Sequence, residues 1–427
     1  MAEIIPFRAW RYAPKFRPQI SQLSLPALES YDEDNLSSRY RLPQNSIHLA
    51  LPESPSPTKA ATLLDNWKSS GVLIQDPLPS IYVYFQHFNL PGSSNLYCRK
   101  GFIAFIRAYH WEDRVVLRHE DTISHALPNR VQQLEKSQIH PTPTLGLYED
   151  PQDALTPLMD QAMKTPLYDF KNDLGIREQL AAITQEKDIM QFVQLLKGQQ
   201  VILADGHHRF QAAILHRDNC KRKGATHTGM EGYNYHMMNF TNLHSDALKI
   251  LPTHRVISNV NITKEHLLQK TALYFTVERI PDDTSLESFT ITKPWTYMLM
   301  LRGDAYEISL RKEKFNQFAA TLPDTVKRLD ISVLHYFFVE CIIGIPMNEQ
   351  RSSEQITFET DLIKCQEKLS QHQADVAIIT REISVNTVME VCKSGYTLPQ
   401  KTTNFYPKTS SGLLFGSIKE NEFSTFP

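Results

Sequence analysis

The chain has 427 residues, 41% of them hydrophobic and 22% charged, with a formal net charge of −2. That length is enough for two or three domains, and the balance of residue types is that of a folded globular protein rather than a disordered or fibrous one. Near-neutrality excludes a global basic field, so nothing argues for a nucleic-acid partner or an acidic membrane surface.

The five cysteines (Cys98, Cys220, Cys341, Cys365 and Cys392) are widely spaced and odd in number, which is no disulfide framework and suits a reducing compartment. The opening Met1–Phe7 lacks a basic region followed by an apolar core, so no signal peptide is expected. The longest apolar stretch, Tyr336 to Ile345, is broken by Glu340 and is too short to cross a bilayer. The expectation is a soluble, cytoplasmic protein.

In chain order, the first 60 residues are rich in Pro and Ser, with residues 51–57 the predicted loop. Ala61, Leu64 and Trp67 recur at helical spacing and predict a helix over 58–69. Residues 81–85 and 101–106 are β-branched and aromatic and read as strands, joined through Pro91-Gly92-Ser93-Ser94. Val115 to Leu117 reads as another short strand, and residues 151–196 as helical with a break at Leu174-Gly175. Residues 235–240 read as a further buried strand. Beyond 257, residues 295–301 and 305–310 predict a hairpin turning at Arg302-Gly303-Asp304. Ser332 to Gly344 reads as a buried helix capped by Asp330, 374–379 as a strand, and 385–394 as a helix ended near Gly395. These patterns predict a mixed N-terminal domain over 1–257 and an α+β C-terminal domain over 258–427.

The most informative segment is Val201-Ile202-Leu203-Ala204-Asp205-Gly206-His207-His208-Arg209-Phe210. Four apolar residues enter a polar turn, and Phe210, Ala213 and Ile214 follow at helical spacing, which is strand, turn, helix. A helix N-terminus presents unpaired N–H groups and the positive end of the macrodipole, so it favours an anion. Gly206 admits a ligand close to the backbone, Arg209 offers a planar fork to phosphate, and His207 and His208 donate or shuttle protons. The plainer alternative makes Asp205 a helix cap and Arg209 a surface ion pair.

Three further segments carry candidate chemistry. In Leu251-Pro252-Thr253-His254-Arg255, His254 and Arg255 are candidate phosphate or carboxylate ligands, against a loop salt bridge. In Arg118-His119-Glu120-Asp121-Thr122, Glu120 is a candidate general base or metal ligand, against a solvated loop carboxylate. From Lys401 to Lys408 two lysines flank aromatics and hydroxyls, a phosphate-binding pattern or simply a basic loop. His216 and Cys220 share a helical face with no companion pair, so structural zinc is not expected. The two common glycine-rich nucleotide loops are absent.

Together Pro6–Ala9, His119–Thr122, Ala204–Phe210, Leu251–Arg255, Asp330–His335, Leu398–Lys408 and Gly412-Leu413 resemble a widespread bacterial and archaeal family, domain-of-unknown-function family 1015. One departure is that the family's early Pro-Pro-Tyr-Asp-type segment is matched only by Tyr31-Asp32. The Asp205–Arg209 turn is also similar to the phosphate-binding turn of the ParB/sulfiredoxin-type fold, whose members include sulfiredoxins, ParB CTPases and ADP-dependent free-serine kinases. The kinase turn, Asp-Gly-His-Thr-Arg, differs only at His208, whereas His207 stands where sulfiredoxins carry a reactive cysteine.

The resemblance implies a ParB/sulfiredoxin-like phosphate-binding core in the N-terminal domain. It implies a nucleotide-dependent phosphotransferase using ATP or ADP on a small hydroxylated metabolite, with serine or phosphoserine first. In that scheme Asp205, Gly206, His208, Arg209, His254, Arg255, Lys401 and Lys408 hold phosphate or substrate, and Asp205 holds Mg²⁺. Glu120 takes the hydroxyl proton, and His207 and His208 of the turn are the other candidate catalytic residues and help hold the phosphates. A nucleotide- or metabolite-binding sensor and a small-molecule phosphatase are the alternatives.

Overall fold

The computed structural model describes residues 1–26, 33–53, 57–120, 127–223, 227–286, 289–319, 321–399 and 401–423. Residues 54–56 of the predicted loop lie outside that description, as do Tyr31, Asp32, Asp121 and Thr122. The chain forms two compact units, one of Met1–Arg118, Thr122–Lys249 and Phe405–Pro427, the other of His119–Asp121 and Ile250–Asn404. The sequence pattern places its boundary at 257 and keeps 258–427 together; the structure divides at 249–250 and returns 405–427 to the first unit. Pairing between distant segments decides this, and local periodicity carries no record of it.

The strands of the first unit's main sheet are β1 (Ile4–Ile5), β2 (Ile81–Asn89), β3 (Leu96–Arg107), β4 (Val116–Arg118), β5 (Thr144–Tyr148), β6 (Tyr168–Lys171), β7 (Arg177–Ile183), β8 (Val201–Asp205) and β9 (Tyr235–Asn242). Their order is β4-β8-β5-β9-β3-β2-β7-β6, with β1 paired to β3. The sheet is mixed: β8 is parallel to β4 and antiparallel to β5, while β9 is parallel to β5 and antiparallel to β3. Phe102 to Ile106 on β3 are all buried, so both faces of the sheet are covered. Phe102 stacks on Phe240 with ring centroids 5.0 Å apart. The main helices of this unit are α1 (Pro57–Ser69), α2 (Leu127–Ser137), α3 (Glu186–Leu196) and α4 (His207–Arg222).

The predicted helix over 58–69 and the strands at 81, 101 and 201 form where the sequence pattern places them. The helical reading of 151–196 is corrected. Only Thr156–Ala162 and α3 are helical there, and β6 and β7 form a hairpin around Leu174-Gly175. Residues 177–183 include Leu180, Ala181 and Ile183, which pair with β2, so the sheet overrides helix propensity.

In the second unit β10 (His254–Ile257), β11 (Phe275–Arg279), β12 (Thr296–Leu301), β13 (Asp304–Leu310), β14 (Ile356–Glu359) and β15 (Val376–Ile379) follow the order β11-β13-β12-β15-β10-β14. All of β12 is buried, with Tyr297, Leu299 and Leu301 in one core cluster and Met298 and Met300 in another. That is the period-two alternation of a strand covered on both faces. The predicted hairpin is present, with Leu301 opposite Asp304 and Gly303 at φ +81° in its turn. Ser384 caps the helix over Val385–Ser394 through Thr387 N–H, and Gly395 ends it. Asp330 does not cap the buried helix. It starts a turn of α-helix, and its carboxylate accepts from Trp295 N–H and pairs with Arg381, while Leu334–Ile343 continues as π-helix. Among the described residues no helix is long and apolar enough to cross a membrane.

Candidate functional site

Asp205 ends β8, where the register against β5 shifts between Leu203 and Asp205. Gly206 follows at φ +90° and ψ +30°, the left-handed region, and α4 begins at His207. A Cβ on Gly206 would stand 2.5 Å from Thr144 Cγ2 and 2.9 Å from Arg209 Nη2. The turn therefore needs glycine for its backbone and for the guanidinium folded against it.

Gly206, not Asp205, is the N-cap of the helix. Asp205 Oδ2 accepts from Arg209 Nη2 at 2.8 Å and its Oδ1 from Lys408 Nζ at 2.8 Å. Burial opposes the carboxylate charge, but Lys408 and Arg209 overcome it and hold its pKa far below the usual range. Arg209 also donates through Nη1 to Pro143 O at 2.7 Å and Thr142 O at 3.3 Å. One carboxylate thus gathers two cations at the amino end of a 16-residue helix. His207 is buried in the first turn, and His208 beside it is half-buried.

Lys408 is brought here by the returning C-terminal segment, which lies over one face of the main sheet. Arg99 Nη2 donates to Pro407 O, Gln86 Nε2 to Lys408 O at 3.0 Å, and Asn239 Nδ2 to Thr409 Oγ1 at 3.2 Å. Ser410 Oγ donates to Glu178 Oε1 at 2.6 Å. Gln86 stands opposite Arg99 on β2 and β3, and Glu178 opposite Gln86 on β7, so these polar groups form a row across the sheet. Burial pushes Arg99 down to about 10, with Tyr84, Asp205 and Glu178 partly restoring its charge. Its Nη1 has no hydrogen-bond partner among the described residues.

Sequence reasoning missed this row. Arg99 lies just before the strand read at 101–106 and so fell outside it; Glu178 lay hidden in the segment read as helical.

The other predicted residues, Glu120, His254, Arg255 and Lys401, belong to the second unit. Arg255 is fully buried on β10, over the ring of Phe358. Its Nε donates to His335 Nε2 at 3.1 Å, so that nitrogen is an acceptor and the ring proton sits on Nδ1. Nδ1–H then donates to Gln350 Oε1 at 2.6 Å, and Gln350 Nε2 donates to His335 O and Ile345 O. Burial and the adjacent Arg255 push His335 down to about 3, consistent with a neutral ring. Arg255 itself falls to about 9 through burial, with Glu120 the main charge holding it protonated.

Glu120 is half-buried and forms a β-bridge with Leu398; neighbouring His119 is 2.7 Å from Thr403 Oγ1. His254 is buried and pushed down to about 4 by burial and then Arg255, and its Nδ1 accepts Thr380 N–H at 3.3 Å. That leaves His254 a neutral imidazole tied to the sheet. Lys401 is exposed in a turn with φ +55°.

The chain belongs to the family described as "Protein of unknown function (DUF1015)", whose sequence model matches residues 4–332. No curated protein matches it. Among solved structures, free serine kinase in complex with AMP is 13% identical, with a TM-score of 0.35 over 73% of this chain and 91% of that one. A conserved hypothetical protein from Pyrococcus furiosus is 14% identical, with a TM-score of 0.36 over 75% and 97%. SbnI with a C-terminal truncation, from Staphylococcus aureus, is 12% identical, with a TM-score of 0.36 over 74% and 87%. Likeness at these levels carries no function to this chain.

Proposed function

We propose that this DUF1015 member is a nucleotide-dependent phosphotransferase acting on a small hydroxylated metabolite, with ATP or ADP as nucleotide and serine or phosphoserine as the first substrate to try. The observation that carries the reading is the convergence of Lys408 and Arg209 on Asp205 at the amino end of α4. Two cations against one carboxylate leave a net positive charge beside the helix N–H groups. A phosphate arriving there competes with Asp205 for the same donors, Lys408 as a point charge and Arg209 as a planar fork. Phosphoryl transfer needs mainly positioning and neutralisation of the moving group's charge, and this turn offers both.

His207 and His208 are the imidazoles proposed to contact phosphate or pass a proton. Both oxygens of Asp205 are held by protein cations, and no group of three His, Cys, Asp or Glu able to hold a metal occurs among the described residues. The roles proposed here therefore run through Lys408, Arg209 and the imidazoles rather than through a metal held by Asp205.

The test is phosphorus NMR of the protein with Mg²⁺, ATP or ADP and a panel of hydroxy metabolites led by L-serine, beside Arg209→Ala. Phosphoserine that forms in the wild type and falls about 1000-fold in Arg209→Ala is the expected outcome. Acceptor-independent release of phosphate would make the protein a phosphatase. Nucleotide binding without turnover would make it a sensor. Glu120→Gln tests the proton-acceptor role proposed for that residue: slowed turnover with nucleotide binding intact supports it, and unchanged turnover rejects it.

A further inference from the structure

Beside the turn lies a second feature that the phosphotransferase reading does not use. A cavity of about 60 Å³ is lined by Arg130 on α2, Arg209 on α4, and Thr142, His140 and His236. Among the described residues no Asp or Glu lines it. Its two guanidiniums are close enough that Arg209, after burial, helps to lower the pKa of Arg130.

The two arginines are held differently. Arg209 has both Nη atoms engaged by Asp205 and by backbone carbonyls, so it contributes mainly charge. Arg130 donates only through Nη1, at 3.3 Å to Ala50 O and 3.4 Å to Gln133 Oε1, which are long, weak bonds to neutral acceptors. His236 is 1% exposed, and its Nε2 lies 3.1 Å from Thr144 Oγ1. Its Nδ1 has no hydrogen-bond partner among the described residues. When Nε2 accepts from the threonine hydroxyl, Nδ1–H is a donor in need of an acceptor. Arg130, held only by neutral acceptors, and the unsatisfied Nδ1 of His236 both gain from an anion in the cavity, whereas Arg209 already has Asp205 as its partner.

We infer that this pocket is a subsite for one tetrahedral oxyanion, a phosphate monoester or the terminal phosphate of a nucleotide, held by the guanidinium of Arg130 with Arg209 and His236 beside it. The cavity has room for a few water molecules or one such group and none for a nucleoside. The inference deepens the phosphate-handling reading of the turn, with which it shares Arg209.

The probe is inorganic phosphate, titrated calorimetrically at constant ionic strength. Saturable 1:1 binding is expected, weakened at least tenfold in Arg130→Met and only a few-fold in Arg130→Lys. Competition by ADP would assign the group to the nucleotide, and competition by O-phosphoserine to the monoester. No saturable binding in the wild type, or equal binding in Arg130→Met, would overturn the subsite. A second measurement does not depend on the variants folding: phosphate should protect Arg130 of the wild type from phenylglyoxal, read by mass spectrometry. Unprotected modification of Arg130 counts against the subsite. The two readings fail separately. Arg209-dependent phosphoserine formation without Arg130-dependent phosphate binding removes only the subsite, and the reverse pattern removes only the transferase.

Discussion

Asp205 and Arg255 centre two clusters made of the same kinds of side chain and solved in opposite ways. At Asp205 the charges are balanced by direct ion pairs, and the carboxylate keeps 28% of its side chain exposed. At Arg255 the cation is buried, and its nearest hydrogen-bonded side chain is a neutral imidazole backed by Gln350. Exchangeable ion pairs near solvent suit a site that trades one anion for another. The buried chain from Arg255 Nε through His335 to Gln350 fixes each of those donors and acceptors, although Arg255 Nη2 has no hydrogen-bond partner among the described residues. Residue type alone does not distinguish the two clusters. Burial and partners do.

The sharpest way to break this contrast is truncation. Arg255→Ala opens a cavity and orphans His335, with an expected loss of about 4 kcal/mol. Lys408→Ala removes a part-exposed ion pair and should cost only about 1 kcal/mol. Urea unfolding of both variants decides it, and equal losses would erase the distinction.

Acidification offers the next largest effect. His140 and His254 are pushed to about 4 and His335 to about 3, each mainly by burial. An unfolded histidine titrates near 6.5, so between about pH 6.5 and 4 the unfolded chain binds more protons and stability falls as pH falls. A group moved from 6.5 to 4 contributes about 3 kcal/mol at most. Asp205 has the opposite kind of group and a lower window. Its depressed pKa stabilises the fold above about pH 4, and that contribution is lost only on further acidification. Unfolding curves at pH 7, 5.5 and 4 should show His335→Gln less acid-sensitive than wild type across this range. Asp205→Asn should follow the wild-type slope until about pH 4.

Two glycines give the smallest difference between a pair of variants and refine the same comparison. Both Gly206 and Gly303 have positive φ, but a Cβ on Gly303 would meet nothing within 4 Å. Gly303→Ala should therefore cost about 1 kcal/mol, the backbone penalty alone. Gly206→Ala adds the collision with Thr144 and Arg209, and about 3 kcal/mol is expected. Matching thermal shifts for the two variants would mean that Arg209 does not pack against the turn.

Much of the local architecture was legible in the residues. The strand, glycine turn and helix around Asp205 followed from four apolar residues, a glycine and the spacing of Phe210, Ala213 and Ile214. The Thr296–Leu310 hairpin followed from two apolar runs flanking Gly303. The hairpin at Leu174-Gly175 was not legible as such, because its strands are set by pairing with β2 rather than by their own periodicity. Asp205 shows the same limit at the site. As a sequence feature it had the composition of a helix cap, and folding gives its carboxylate to two cations instead.

The sequence by itself determined which segments become strands, turns and helices where periodicity and glycine placement are strong, and it singled out the turn at 205–209 as a candidate site. Tertiary structure alone decided that Lys408 meets Asp205 across 203 positions and that Arg99, Gln86 and Glu178 form one row. It alone set Arg130 across a cavity from Arg209. Such juxtapositions depend on strand order and on where the chain's end returns. Those are products of long-range pairing and packing, which local patterns of residues do not encode.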